Sequence, residues 1–320
     1  MKATIVTRYG PPDVLQVKEV EKPSPKENEV LIKVHASTVI MGDCEIRGMT
    51  LPLWTRIPLR LFMGFNKPRK LVAGAEFSGV VEAVGGKVTS FREGDHIFGT
   101  GGMYMGANAE YMSRDPKNMA VKPVEVSHED AATLPVGGIN ALHFLRKANI
   151  RPGQKVLIIG GGGSIGTYAV QLAKNYGAEV TAVDSGDKLD MLLSLGADHV
   201  IDYTRENYFE NDQKYDVIFD LIYSTPFSKG LGILKDDGCY LLANPSPVKM
   251  IKAKWSGKNV IFDFAEETPQ DLRYLATLLK EGKIKSIIDK CYPLEQVVEA
   301  HRYVESGHKK GCLVLKVADE

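Results

Sequence analysis

The segment Lys155-Val156-Leu157-Ile158-Ile159-Gly160 runs directly into Gly161-Gly162-Gly163-Ser164-Ile165-Gly166. An apolar run rich in β-branched residues predicts a buried strand, and the residues after Ser164 predict a helix. The glycines at 161, 163 and 166 then sit in a strand–turn–helix, the one context that gives G-x-G-x-x-G a physical meaning. Gly161 serves the tight turn, Gly163 lets backbone approach a pyrophosphate, and Gly166 lets helix and strand pack closely. The first N–H groups of the helix, at Ser164 and Ile165, with the positive end of the helix dipole, face the phosphates. This points to a dinucleotide-binding unit.

The pattern around the loop agrees. From about residue 127, strand and helix alternate: strands at 156–160, 179–184, 199–203, 216–221 and 239–243, and helices at 164–176, 188–195 and 227–234. Such alternation predicts a parallel, doubly wound sheet. Ser127, followed by His128, Glu129 and Asp130, predicts an N-cap with an acidic first turn. Before residue 122 the grammar differs. Short apolar runs at 3–7, 15–20, 30–35, 77–84, 96–100 and 109–112 are broken by Gly and Pro, which predicts an all-β beginning. The C-terminal stretch, a helix and a strand at 311–317, cannot form its own core and is expected to return to the first domain. The expected division is 1–122 with 266–320, and 123–265.

Asp184 ends the second strand, 18 residues past Gly166. A carboxylate there accepts from both ribose hydroxyls of an adenosine and repels a 2′-phosphate, which favours NAD(H) over NADP(H). Lys188 is close enough in sequence to tolerate a phosphate instead. Alternatively, Asp184 starts a turn or caps the next helix with Ser185.

Composition excludes several classes. Forty Lys plus Arg balance forty Asp plus Glu, which argues against nucleic-acid binding. No apolar run approaches the roughly 18 residues a membrane span needs, and the N-terminus lacks a signal core. Cysteines at 44, 239, 291 and 312 show no zinc-knuckle, redox or disulfide spacing. The expected location is the cytoplasm. The seven histidines show no metal-binding spacing, and no Ser-His-Asp arrangement is visible.

The stretch Gly74-Ala75-Glu76-Phe77-Ser78-Gly79-Val80-Val81-Glu82-Ala83-Val84-Gly85, followed by Gly94-Asp95, resembles the signature of the medium-chain dehydrogenase/reductase superfamily. The chain is most similar to its quinone oxidoreductase and zeta-crystallin branch, including 132–142, Ile201-Asp202-Tyr203 and His301-Arg302-Tyr303-Val304. The resemblance implies an α/β protein: a GroES-like, partly open β-barrel domain plus a Rossmann domain. It also implies an NAD(P)H-dependent reductase of quinones or α,β-unsaturated carbonyls. Zinc members of the superfamily carry a ligand His where this chain has Ala75, a ligand Cys near 41–43, and four clustered Cys for a structural zinc. Residues 45–238 contain no cysteine, so neither zinc site is expected. A metal-free alcohol or aldehyde dehydrogenase and a non-catalytic dinucleotide-binding protein are the alternatives.

The family layout also suggests site residues. Asp43 and Arg47 match a motif whose asparagine is here Ile40, although the two also have the i, i+4 spacing of a simple helical ion pair. Asn140 stands where the family has a threonine near the nicotinamide. Tyr203 matches a tyrosine near the adenosine ribose, and Asn244 follows the last Rossmann strand near the nicotinamide. Tyr104 and Tyr111 have the chemistry of proton donors, or are barrel side chains. The apolar run 259–264 is a candidate edge strand, expected to join two chains in a homodimer. Residues 51–70 mix Trp54, Phe62 and Phe65 with five basic residues. That composition suits a flap over a small-molecule substrate, a loop packed on the barrel or, last, an interfacial membrane helix.

Overall fold

The structure, a computed structural model, describes residues 1–69, 72–102, 105–210 and 212–318. The chain divides into two compact units, Met1–Val136 with Glu267–Lys280 and Ile288–Glu320, and Gly137–Glu266 with Glu281–Ile287.

The first unit begins with β1 (Lys2–Val6), antiparallel to β2 (Leu15–Glu19). Its spine is β3 (Val30–Thr38), in which every residue but Lys33 is buried. β4 (Glu76–Val84) pairs antiparallel with β3, followed by β5 (His96–Thr100) on β4. β6 (Tyr111–Arg114) also pairs with β3, and β7 (Met119–Val121) with β5. Two helices, α1 (Met41–Gly48) and α2 (Leu53–Met63), lie between β3 and β4 in sequence. The segment 51–70 is therefore not a plain loop. Leu59 and Met63 of α2 join a buried cluster with Val39, Cys44 and Leu313, which holds one side of the helix down.

Ser127 caps α3 (His128–Ala132) by accepting the Asp130 N–H at 3.0 Å. This helix belongs to the first unit, so the unit boundary lies at Val136/Gly137 rather than at 122/123. The reason is packing: Ala132 clusters with Ala36 of β3 and with Val314, and His128 hydrogen-bonds Ser78 of β4.

The second unit is a six-stranded parallel sheet built from β8 (Lys155–Ile159), β9 (Glu179–Asp184), β10 (His199–Asp202), β11 (Tyr215–Asp220), β12 (Leu234–Leu242) and β13 (Asn259–Ile261). The spatial order is β10-β9-β8-β11-β12-β13, the doubly wound order with its switch point between β8 and β11. The connecting helices are α4 (Ile139–Ala148), α5 (Ser164–Asn175), α6 (Leu189–Ser194), α7 (Phe227–Gly232) and α8 (Pro247–Trp255). β13 is the edge strand, but it stops at Ile261. Beyond it Asp263 turns to an ion pair with Lys147 of α4, and Phe264 is exposed.

After α9 (Pro269–Lys280), residues 281–287 stay with the second unit because Gln171 of α5 clamps them. Its side chain accepts the Lys285 N–H at 2.7 Å and donates to the Lys285 carbonyl at 3.0 Å. The chain then returns to the first unit with β14 (Ile288–Pro293), α10 (Val297–Glu305) and β15 (Cys312–Lys316), the last antiparallel to β3. The return is fastened to α1. Cys44 Sγ lies 3.3 Å from His301 Nδ1, both buried, and Arg47 pairs with Glu305. Burial pushes the Cys44 thiol up to about 12; burial, then the Arg47 charge, pushes His301 down to about 3.

Candidate active site

The glycine loop is built by close approach. Gly160 takes a left-handed conformation, φ +89°, so the turn falls there rather than at Gly161. The N–H groups of Gly160 and Gly161 donate to the Val183 carbonyl at 2.9 and 3.1 Å, tying the loop to β9. A Cβ on Gly166 would stand 2.3 Å from the Gly160 carbonyl oxygen, so only glycine permits this path. Gly161 packs against Ala182 and Leu192. Gly163 is different: a Cβ there would meet nothing nearer than 3.7 Å. It is the N-cap of α5, and no side chain caps that helix start. Backbone with room for a further atom thus stands at a helix N-terminus, where Ser164 and Ile165 begin the first turn, and this fits a pyrophosphate.

Asp184 closes the other side. Its Oδ2 accepts the Gly162 N–H at 2.7 Å, its Oδ1 accepts the Ser185 N–H at 2.8 Å, and Lys188 Nζ is 3.1 Å from Oδ1. The carboxylate therefore faces the glycine loop and also takes part in the turn after β9. Tyr203 donates its backbone N–H to the Asp184 carbonyl at 3.2 Å and is itself 56% exposed. Gly161, Gly163, Ser164, Ile165, Gly166, Asp184, Lys188 and Tyr203 are thus brought to one end of the sheet, at the carboxyl ends of β8, β9 and β10.

Asn244, beyond β12, donates through Nδ2 to the Leu221 carbonyl at 2.9 Å, bridging the ends of two strands. Asn140 is half-buried in the first turn of α4. At the end of β11 lies a group that sequence reasoning overlooks. Asp220, buried at the end of β11, accepts from the Ile222 N–H at 3.0 Å, from Thr225 at 2.8 Å and from the Tyr240 hydroxyl at 3.1 Å, with Lys249 Nζ 3.6 Å away. Burial raises its carboxyl, and the Lys249 charge opposes that shift. Asp220 ends its strand as Asp184 ends β9, and that parallel was the signal available.

In the first unit, Asp43 is only 2% exposed. Its Oδ2 accepts the Ile40 N–H at 2.9 Å, and burial pushes it up to about 7. Its ion pair with Arg47 does not form, because Arg47 turns to Glu305. Glu76 is also buried. It accepts from the Thr38 hydroxyl and, at 2.6 Å, from the Val136 N–H, and burial raises it to about 8, with the Asp43 charge adding to the shift. Tyr111 is half-buried with Lys22 Nζ 3.8 Å from its ring centre. Tyr104 lies outside the described residues. Three histidines distant in sequence come together: His128 Nε2 is 3.0 Å from His96 Nδ1, and the His35 and His128 rings stack at 4.7 Å. No group of three or more His, Cys, Asp or Glu among the described residues is arranged to hold a metal ion. At the position where the superfamily's zinc members carry a ligand His, this chain has Ala75.

Residues 26–176 match the family model described as the alcohol dehydrogenase GroES-like domain, and 195–315 the one described as zinc-binding dehydrogenase. The chain is 33% identical to a 2-methylene-furan-3-one reductase of Solanum lycopersicum, over 98% of this chain and 79% of that protein. The chain belongs to the medium-chain dehydrogenase/reductase superfamily. Two more relatives place it in the superfamily's quinone oxidoreductase-like branch. An NADPH-dependent alkenal/one oxidoreductase of Arabidopsis thaliana is 31% identical over 98% of this chain and 79% of its own length. The solved structure of the quinone oxidoreductase from Coxiella burnetii has a TM-score of 0.92 at 30% identity, covering 99% of both chains.

The superfamily's signature glutamate, Glu76, sets a pH dependence of stability. Its ordinary value of 4.5 rises to about 8 in the fold, so between those values the folded state holds a proton that the unfolded chain has lost. Stability therefore falls as pH rises through that window. Asp43 acts in the same direction through about pH 7, and His128 and His301 act oppositely only below 6.5. Between pH 7 and 8 Glu76 is the larger contributor, with the tail of the Asp43 titration beside it. In thermal melts across that interval, wild-type Tm should decline and Glu76→Gln should decline distinctly less. Parallel slopes for the two proteins would contradict the assignment.

Proposed function

We propose that this protein is a zinc-independent, NAD(P)H-dependent reductase of quinones or α,β-unsaturated carbonyls. The carrying observation is the cradle at the start of α5: a helix N-terminus with no side-chain cap, uncrowded backbone at Gly163, and the Asp184 carboxylate across the loop. The N–H groups of Ser164, Ile165 and Gly166 would hold a pyrophosphate, and Asp184 would accept from the ribose hydroxyls with Tyr203 beside it. Asn140 and Asn244 supply amides for the nicotinamide end. When bound, the reduced nicotinamide supplies a hydride.

The acceptor class follows from the missing metal ligands. In zinc enzymes the ion polarises the substrate oxygen, which is worth several kcal/mol. Ala75 has no lone pair, and Cys44 is committed to His301. A quinone or enone needs less help, because negative charge spreads onto its oxygen as hydride arrives. The protein then contributes alignment, a hydrogen bond or two, and exclusion of water. The relatives above, an alkenal/one oxidoreductase and a quinone oxidoreductase, are named for this same chemical class.

We further propose NADH as the preferred cofactor, with Asp184 as the discriminator and Lys188 moderating it through their ion pair. Four free cysteines, three of them buried, suit a reducing cytoplasm. β13, the sheet edge, is the proposed seam of a homodimer. Light scattering should give twice the 35.2 kDa chain mass, and Val260→Pro should give the monomer; a wild-type monomer at micromolar concentration would refute the seam.

The decisive assay is steady-state NAD(P)H consumption with a panel of quinones and enones, alongside elemental analysis. Turnover is expected from protein without stoichiometric zinc. Tight cofactor binding with no turnover would make this a binding protein, and oxidation of simple alcohols would make it a metal-free dehydrogenase. In the same assay Asp184→Ser should move the NADH:NADPH ratio about tenfold toward NADPH, about 1.4 kcal/mol, the scale of one charged hydrogen bond. An unchanged ratio would place Asp184 outside the ribose site.

A further inference from the structure

The helix α2 is turned inside out. Its exposed positions are Leu53, Trp54, Ile57, Pro58, Leu61 and Phe62, at i, i+1, i+4, i+5, i+8 and i+9, which is one continuous arc of a helix. Every one is apolar, and the large side chains among them are 45–67% exposed. The opposite side carries Leu59 and Met63, which pack in the first unit's core, with Arg56 beside them, while Arg60 borders the arc, its guanidinium 5.5 Å from the Tyr9 ring centre and 5.8 Å from that of Phe65. A surface helix ordinarily does the reverse, so an apolar arc kept in water marks a binding surface.

Charge identifies what it meets. Residues 46–75 contain no Asp or Glu, in a chain otherwise balanced at forty of each sign. Arg56, Arg60, Lys67 and Arg69 all lie in this stretch, and Phe65 between them is exposed. A second copy of the chain would bring these cations against their own images with no carboxylate in the segment to pair them. An anionic lipid surface instead offers acyl chains to the apolar arc and headgroup phosphates to the basic residues, with Trp54 and Phe62 suited to the boundary. No helix among the described residues is long and apolar enough to cross a membrane. The 11 residues of α2, about 16 Å long, suit a helix lying in the interface plane.

We propose that α2 seats this protein on anionic bilayers, its apolar arc inserted and the exposed Lys67 and Arg69 that follow it over the headgroups. This proposal stands independently of the catalytic reading. The chain has two tryptophans, Trp54 and Trp255, so full-length Trp255→Phe reports from α2 alone. With vesicles of phosphatidylglycerol and phosphatidylcholine in equal parts, Trp54 emission should move to the blue and the protein should sediment with the vesicles. Ile57→Glu with Leu61→Glu, both at exposed sites, should cut vesicle binding at least about tenfold with an unchanged Tm. Lys67→Gln with Arg69→Gln should weaken it while leaving the arc intact, and salt should do the same. The proposal fails if low-salt anionic vesicles bring down no protein, or if pure phosphatidylcholine binds it equally well. It also fails if Ile57→Glu with Leu61→Glu dissolves a dimer, which would show that a second copy covers the face.

Discussion

The contact between the start of α5 and the loop that follows β8 is the constraint on which the second unit depends. Gly166 passes so near the Gly160 carbonyl that no side chain fits between them. That approach sets the helix over the sheet, points its first N–H groups outward and leaves the backbone at Gly163 open. The same loop bonds to Val183 and Asp184 of the neighbouring strand, so the cradle and its carboxylate are positioned by one short stretch of chain. The order of strands then does the rest: a switch of direction between β8 and β11 brings the carboxyl ends of several strands to one place.

The first unit is organised differently, around a single long strand. β3 is buried on both sides and accepts β4, β6 and β15 as partners, which draws the far C-terminus back beside the N-terminal third. Two carboxyls, Asp43 and Glu76, are enclosed in this framework and held toward their protonated forms. A protonated carboxyl tolerates burial that a carboxylate does not, so each is compatible with a dry interior at neutral pH. Asp43 steadies the start of α1 and Glu76 links β3, β4 and the segment after α3.

What the sequence makes legible is local. The glycine-rich turn between strand and helix, the apolar strands and the Ser127 cap depend on neighbours within a few residues, and each appears in its expected segment, with the tight turn one residue early, at Gly160. Long-range partners are not written that way. Arg47 has a carboxylate four residues before it yet pairs with Glu305, 258 residues away. Histidines 35, 96 and 128 share no spacing and still stack. The strand at 259–264 reads as continuous, but Asp263 finds Lys147 and the last residues leave the sheet. Residues 51–70 give a composition without a direction, because periodicity identifies an apolar stripe and only tertiary packing shows which side of α2 faces out.

The central claim, hydride transfer without a metal, meets its most direct test in isotope tracing. Metal-depleted protein would be given an enone and NADH carrying deuterium at the transferable C4 position, and the reduced product read by mass spectrometry and NMR. The account predicts one deuterium per product, on the carbon β to the carbonyl. A product free of label, or turnover that returns only when zinc is restored, would contradict it.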